Sequence, residues 1–249
     1  MNRNALIIGG TRGIGLALVE ALLADPTYRH VVAAGRSVDG HPELDRLAAC
    51  HGDRCERLSL DLADEASIAA AAIALRARRP ALHLLITTAG LLHGDGLNPE
   101  RRLAEIRPDH LLASYTVNAV GPILIAKHFH GLLAHGERAV LATLSARVGS
   151  IGDNRLGGWY AYRAAKAAQN QLMHTAAIEL ARRARELIVV SLHPGTVETD
   201  LSAPFRGNVA AEKLFTPAYA AERLLAVIAG LGRESSGRFY AWDGSEIPW

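Results

Sequence analysis

The 249-residue chain lacks several features at once, and each lack excludes something. No apolar run approaches the roughly 18 residues that a membrane span needs. The opening "MNRNALIIGG" is too short in apolar residues for a secretory signal. Only two cysteines occur, Cys50 and Cys55, at a spacing that fits neither CxxC nor a zinc pattern. A disulfide framework is therefore set aside in favour of a reducing compartment. Neither charge sign dominates: 27 Lys and Arg stand among 25 Asp and Glu, without a basic stripe, which argues against nucleic acid. The eleven histidines form no HExxH or other tight ligand set, so no metal is expected. No G-x-S-x-G elbow is present, which removes serine hydrolysis. No Gly/Ser linker or internal repeat divides the chain. The expectation is a soluble, cytoplasmic protein with one domain over residues 1–249 and a sizeable core.

What is present alternates. Short apolar runs, "NALIIGG" (4–10), "HVVAAG" (30–35), "CERLSLDL" (55–62), "LHLLITTAG" (82–90), "RAVLATLS" (138–145) and "ELIVVSLHPG" (186–195), read as strands. Helical spacing fills 13–24, 65–78, about 104–134 with a break near Gly121-Pro122, 161–183 and 217–230. "GRFYAWDG" (237–244) reads as a last edge strand. Continuous apolar strands between helices predict an α/β fold: a Rossmann-type, doubly wound parallel sheet of about seven strands, with helices on both faces.

The first strand–helix turn, "IIGGTRGIG" (7–15), carries Gly9, Gly10, Gly13 and Gly15. Glycine lets the backbone approach a ligand, and the N–H groups opening the next helix favour an anion such as a dinucleotide pyrophosphate. The glycines alone are also compatible with a plain tight turn. A dinucleotide without a 2′-phosphate usually meets an acid about 20 residues later. Here "VVAAGRS" offers Arg36 instead, and Arg12 lies within the turn. Two guanidiniums suit a ribose phosphate, which favours NADP(H) over NAD(H).

"WYAYRAAKAA" (159–168) holds Tyr160, Tyr162 and Lys166. On a helix, Tyr162 and Lys166 share a face at a spacing of four, whereas Tyr160 points elsewhere. A nearby cation favours the phenolate, so this pair has acid–base meaning. Ser145 ends a predicted strand at the crevice side of the sheet, and Asn118 lies near the predicted helix break. The four side chains can therefore meet beside a bound nicotinamide.

With these motifs in order along nearly the whole length, the chain resembles the short-chain dehydrogenase/reductase family. The turn 9–15 is similar to the family's TGxxxGIG, with Ile8 in place of its threonine. "TTAG" (87–90) resembles NNAG, with both asparagines replaced. Ile8 removes a hydroxyl that would tie the turn to a neighbouring segment. Thr87 and Thr88 still offer hydroxyls, but these bond less than an amide does, which puts the support of strand four in question. The long Ser145–Tyr162 separation and the ending "SGRFYAWDGSEIPW" resemble the C-factor-like subgroup, around which signalling roles are claimed.

The resemblance implies a catalytic tetrad of Asn118, Ser145, Tyr162 and Lys166. Tyr162 would protonate a carbonyl oxygen as the nicotinamide delivers hydride. Lys166 would lower the tyrosine pKa and hold the nicotinamide ribose. Ser145 would align the substrate oxygen, and Asn118 would hold a water leading to Lys166. It also implies cofactor contacts from Gly9, Thr11, Arg12, Gly13, Ile14, Gly15, Arg36, Asp61, Leu62, Ala89, Gly90, Tyr162, Lys166, Pro194, Gly195, Val197 and Thr199. A lid is expected over 196–215, with Leu201, Phe205 and Trp159 as an apolar substrate wall. The implied partners are a small carbonyl or alcohol substrate and a second copy in a homodimer or homotetramer, with no nucleic acid and no membrane. The alternative is a dinucleotide-binding sensor or cell-signalling protein with little turnover on the same fold.

Overall fold

The computed structural model describes residues 3–94, 96–204 and 213–249. Strands β1 (Arg3–Ile8), β2 (Tyr28–Gly35), β3 (Cys55–Ser59), β4 (Leu84–Thr87), β5 (Ala139–Leu144) and β6 (Leu187–His193) alternate with helices α1 (Gly13–Ala24), α2 (Pro42–His51), α3 (Glu65–Arg78), α4 (Pro108–Tyr115), α5 (Gly121–Leu133) and α6 (Tyr160–Leu180). The short strands β7 (Thr196–Val197) and β8 (Leu214–Phe215) pair in parallel with each other, and α7 (Pro217–Gly230) and β9 (Phe239–Ala241) complete the chain. The main sheet has seven strands in the order β3-β2-β1-β4-β5-β6-β9, all neighbours parallel.

Both faces of this sheet are apolar, which explains why its strands read as continuous runs. Leu6, Ile8, Val32, Leu85, Leu141 and Val189 face a core shared with Ile68, Phe129 and Met173 of α3, α5 and α6. Their neighbours Ala5, Ile7, Val31, Ile86, Val140 and Val190 face Leu18, Leu44 and Leu224 of α1, α2 and α7. The strict alternation is the period of two of a pleated strand. Burial of each such side chain contributes about 1.5–3 kcal/mol. Strand order reverses between β1 and its two neighbours β2 and β4, so a crevice opens at their carboxyl ends.

Local chemistry sets the helix starts. The Asp64 side chain accepts the Ala66 N–H at 2.9 Å to cap α3, and Thr216 accepts the Tyr219 N–H at 3.2 Å to cap α7. Helix α2, which the periodicity reading missed, begins with Pro42, carries Glu43 and Asp45 in its first turn and ends on His51. Its ten residues bury only Leu44 and Leu47, too little apolar signal to stand out. The expected break near Gly121-Pro122 is a π-helical turn over Thr116–Val120 that joins α4 to α5. Pro122 has no N–H to donate to the carbonyl four residues back, so the backbone widens instead of stopping.

Candidate active site

The carboxyl ends of β1 and β4 build the floor of the crevice. Gly9 has φ +88°, and a Cβ there would stand 2.6 Å from Thr88 Oγ1. That Thr88 hydroxyl donates to the Ile8 carbonyl at 2.9 Å and lies 3.3 Å from the Gly9 carbonyl. The tie put in question by Ile8 is thus made from the other strand. Helix α1 opens with no capping side chain and no acid in its first turn, where Gly13, Ile14 and Gly15 stand. Its N-cap, Arg12, is exposed and lies 3.3 Å from Asp200 Oδ2. Arg36 is exposed just beyond β2, and Thr11 reaches to 3.7 Å from where a Cβ on neighbouring Gly35 would stand.

The Asp61 carboxylate accepts the Ala63 N–H at 2.9 Å, so one oxygen forms its own turn. Leu62 is buried against the start of α5 at Gly121. Ala89 and Gly90 are half-buried after β4. A Cβ on Gly90 would stand 3.1 Å from Asn118 Oδ1, 3.9 Å from Lys166 Nζ and 3.9 Å from Leu201 Cδ1. Residues from three separate segments converge on this one glycine.

Tyr162 and Lys166 are 8% and 3% exposed on the inward face of α6. Lys166 Nζ lies 5.7 Å from the Tyr162 ring centroid and donates to the Leu144 carbonyl at 2.8 Å and Gln169 Oε1 at 2.9 Å. Burial pushes the Tyr162 phenol above its ordinary value and the Lys166 ammonium down to about 7. Ser145 is buried past the end of β5, and its hydroxyl has no hydrogen-bond partner among the described residues. Asn118 is fully buried in the π turn; its Nδ2 donates to the Leu91 carbonyl at 2.7 Å and Ser114 Oγ at 3.1 Å, and its Oδ1 accepts the Leu91 N–H at 2.9 Å. The Asn118 side chain thus fixes the segment after β4. Tyr160 is half-buried at the first position of α6, and Trp159 stands edge-on to the Tyr162 ring at 6.3 Å between centroids.

The chain after β6 folds back over this floor. Pro194 and Gly195 turn out of the strand, and a Cβ on Gly195 would strike the Phe215 ring. Val197 is buried in the β7–β8 pair, and the Thr199 methyl lies 3.0 Å from where a Cβ on Gly13 would stand. His93 Nε2 is 3.1 Å from the Asp200 carbonyl. Of the expected lid, 196–204 and 213–215 are described, whereas Phe205 lies outside the described residues.

Three residues here escaped the sequence reading. Gln169 accepts from Lys166 and donates to the Leu144 carbonyl at 3.3 Å, through bonds that no motif marks. Glu100 is buried beside the first turn of α6, 61 positions away along the chain. His193 ends β6 with a buried, unpartnered Nδ1, and burial first, then Arg147, pushes its pKa down to about 4 against the pull of Asp243. At the opposite end of the sheet, His83, His135 and Glu137 bring ligand atoms within 4.8 Å of one another. However, the Asn4 N–H donates to His83 Nδ1, which leaves the proton on Nε2, the atom facing Glu137. That proton count suits a hydrogen bond rather than a metal ligand.

A family model described as short chain dehydrogenase matches residues 3–210. The NADPH-bound carbonyl reductase from chicken fatty liver superposes with a TM-score of 0.88 at 30% identity, over 100% of this chain and 99% of that one. The carbonyl reductase Sniffer of D. melanogaster gives 0.86 at 28% identity over the whole of both chains. The C-signal protein of Myxococcus xanthus is 33% identical over 147 residues, 59% of this chain and 83% of that protein. No described helix is long and apolar enough to cross a membrane.

Proposed function

The chain belongs to the short-chain dehydrogenase family, and from that premise we propose that it is an NADPH-dependent carbonyl reductase with Tyr162 as the proton donor. The observation that carries this reading is the buried Tyr162–Lys166 pair on one face of α6, with Lys166 bonded to the carbonyl of Leu144, the residue before Ser145. The likeness to two carbonyl reductases, one of them NADPH-bound, supports the reaction class and the cofactor.

The residues present fit a phosphorylated dinucleotide. The start of α1 has neither cap nor acid to neutralise its N–H groups, which suits a pyrophosphate. Arg36 and Arg12 suit the 2′-phosphate, although Arg12 must first leave Asp200. Asp61 and Leu62 would border the adenine, and Ala89 and Gly90 the adjoining ribose. Pro194, Gly195, Val197 and Thr199 would border the nicotinamide. When bound, the nicotinamide supplies the hydride.

The proton and the substrate are handled by this protein's own groups. Ser145 donates a hydrogen bond to the substrate oxygen and turns it toward Tyr162. Tyr162 then gives its phenolic proton to that oxygen. Desolvation alone would hold the phenol neutral, but an ammonium within about 4–6 Å favours the phenolate. Lys166 in its charged form is that ammonium, and the low dielectric around both strengthens the coupling. The spent proton returns through solvent. The Asn118 main-chain carbonyl, which Pro122 cannot engage, is the acceptor for a relay water. Leu201 above Gly90 covers the site, which keeps bulk water away from the reacting atoms.

NADPH oxidation with a panel of aldehydes, ketones and quinones tests the reading. Turnover is expected in the wild type, and Tyr162→Phe lowers it by about 10²–10⁴-fold. The C-signal likeness favours the second reading, a dinucleotide-binding signalling protein in a C-factor-like subgroup. Tight NADPH binding with no turnover on any substrate would select it.

A further inference from the structure

Helix α6, which carries Tyr162 and Lys166, has no cap of its own. Its N-cap residue, Trp159, makes no side-chain capping bond, and no acid lies in its first turn. Trp159 also sits at φ 53°, a left-handed conformation that a bulky side chain rarely adopts. The missing cap comes from Glu100, a carboxylate only 2% exposed. Glu100 Oε2 accepts the Ala161 N–H at 3.1 Å, and the Glu100 main-chain oxygen accepts the Trp159 N–H at 2.5 Å. Among the described residues no ion pair involves Glu100, and its Oε1 is buried without a partner. Its hydrogen-bond partner is therefore the first turn of α6, whose N–H groups have no acceptor within the helix.

Ala161 is also gripped from its other side. Ser114 Oγ donates to the Ala161 carbonyl at 3.3 Å and accepts from Asn118 Nδ2 at 3.1 Å. Asn118 in turn holds both polar groups of the Leu91 backbone. The residue immediately before Tyr162 thus has its carbonyl and its N–H both fixed by buried side chains, Ser114 from α4 and Glu100 from the segment after β4. That same segment contains Gly90, at the point where Lys166 and Asn118 converge.

We propose that Glu100 is a positioning residue: by capping α6 from outside, it fixes the first helical turn and so sets where the Tyr162 phenol stands. This rests on the reading of Tyr162 as the proton donor. The cap needs an acceptor oxygen at this reach, because the Ala161 N–H has no acceptor within its own helix. Its remote origin couples the acid–base helix to the β4 side of the crevice, where the cofactor would lie.

The test compares the full-length wild type with Glu100→Ala, Glu100→Gln and Glu100→Asp. The first readout is hydrogen exchange at the Ala161 amide, which needs no turnover. Glu100→Ala should speed it by about tenfold or more, since a first-turn N–H has no intrahelical acceptor. Glu100→Gln keeps an acceptor of the same reach and should stay near wild type. Glu100→Asp keeps the charge but withdraws it by one methylene, so it should resemble Glu100→Ala and serves if the alanine variant does not fold.

The second readout is kinetic. Glu100→Ala should lower kcat by about 100-fold, the scale of a misplaced reacting group, with KM for NADPH little changed. The pH at which kcat/KM falls should move as well, and Glu100→Gln should restore both. Unchanged Ala161 exchange in the alanine or aspartate variant would overturn the cap. Faster exchange with unchanged kcat and pH profile would overturn the positioning role. A wild type without turnover would defeat the functional reading, and the exchange data would then judge the cap separately.

Discussion

Lys166 donates to two neutral oxygens, the Leu144 carbonyl and Gln169 Oε1, and burial brings its ammonium down to about 7. The charged form, which the reduction needs, is the one lost as pH rises through that value. The kcat/KM for carbonyl reduction should therefore fall above about pH 7 in a pH–rate profile. Lys166→Arg keeps its charge across the range, so it should push that fall to higher pH while costing about 10–100-fold in rate through misfit. The two arginines differ in a readable way. Arg12 already faces Asp200, whereas among the described residues no hydrogen bond or ion pair engages the Arg36 side chain. Arg36→Ala should raise KM for NADPH by about tenfold or more and leave KM for NADH unchanged. Arg12→Ala should do less, and a steady-state comparison of the two cofactors checks both.

At the scale of elements, the position of α6 depends on what lies against it. A Cβ on Gly149, after β5, would stand 2.8 Å from Lys166 Cβ and 2.9 Å from its main-chain carbonyl carbon. Neither neighbour is the free end of a flexible chain. Gly149→Ala should cost about 1–3 kcal/mol and lower the melting temperature. It should also reduce kcat, because the displaced atoms belong to the turn that carries Lys166. Thr88→Val removes the hydroxyl that joins β4 to the glycine turn and should cost about 1 kcal/mol, measurable by urea unfolding. Some helices were legible to the residue: α1, α3 and α7 have the bounds that the sequence reading gives them. Helix α2 and the β7–β8 pair were not, because ten mostly polar residues with two buried leucines, or strands of two residues, carry too little apolar content.

Across the whole molecule, the pH dependence of stability has a named contributor. The His193 imidazole, held neutral with its pKa near 4, ordinarily titrates at about 6.5 when unfolded. The native state therefore binds its proton later than the unfolded chain does. The stability that this contributes is present above about pH 6.5 and is lost as pH falls toward 4, by about 3 kcal/mol in all. His193→Asn should flatten the change in unfolding free energy between pH 7 and pH 4. A slope equal to that of the wild type in urea titrations at several pH values would count against this assignment.

The sequence by itself determined the layered α/β architecture, because apolar runs and helical spacing are local patterns. It also separated Tyr162 from Tyr160, since a spacing of four on a helix is fixed geometry. Only the tertiary structure decided what each polar group is bonded to. Thr88 replaces the tie that Ile8 lacks, Asn118 turns its amide on Leu91, and Glu100 caps a helix 61 positions downstream. Buried hydrogen-bond donors must find acceptors wherever the fold brings them, and such partners are distant in sequence. The same burial that unites Tyr162 with Lys166 shifts both their pKa values, and no spacing rule expresses burial.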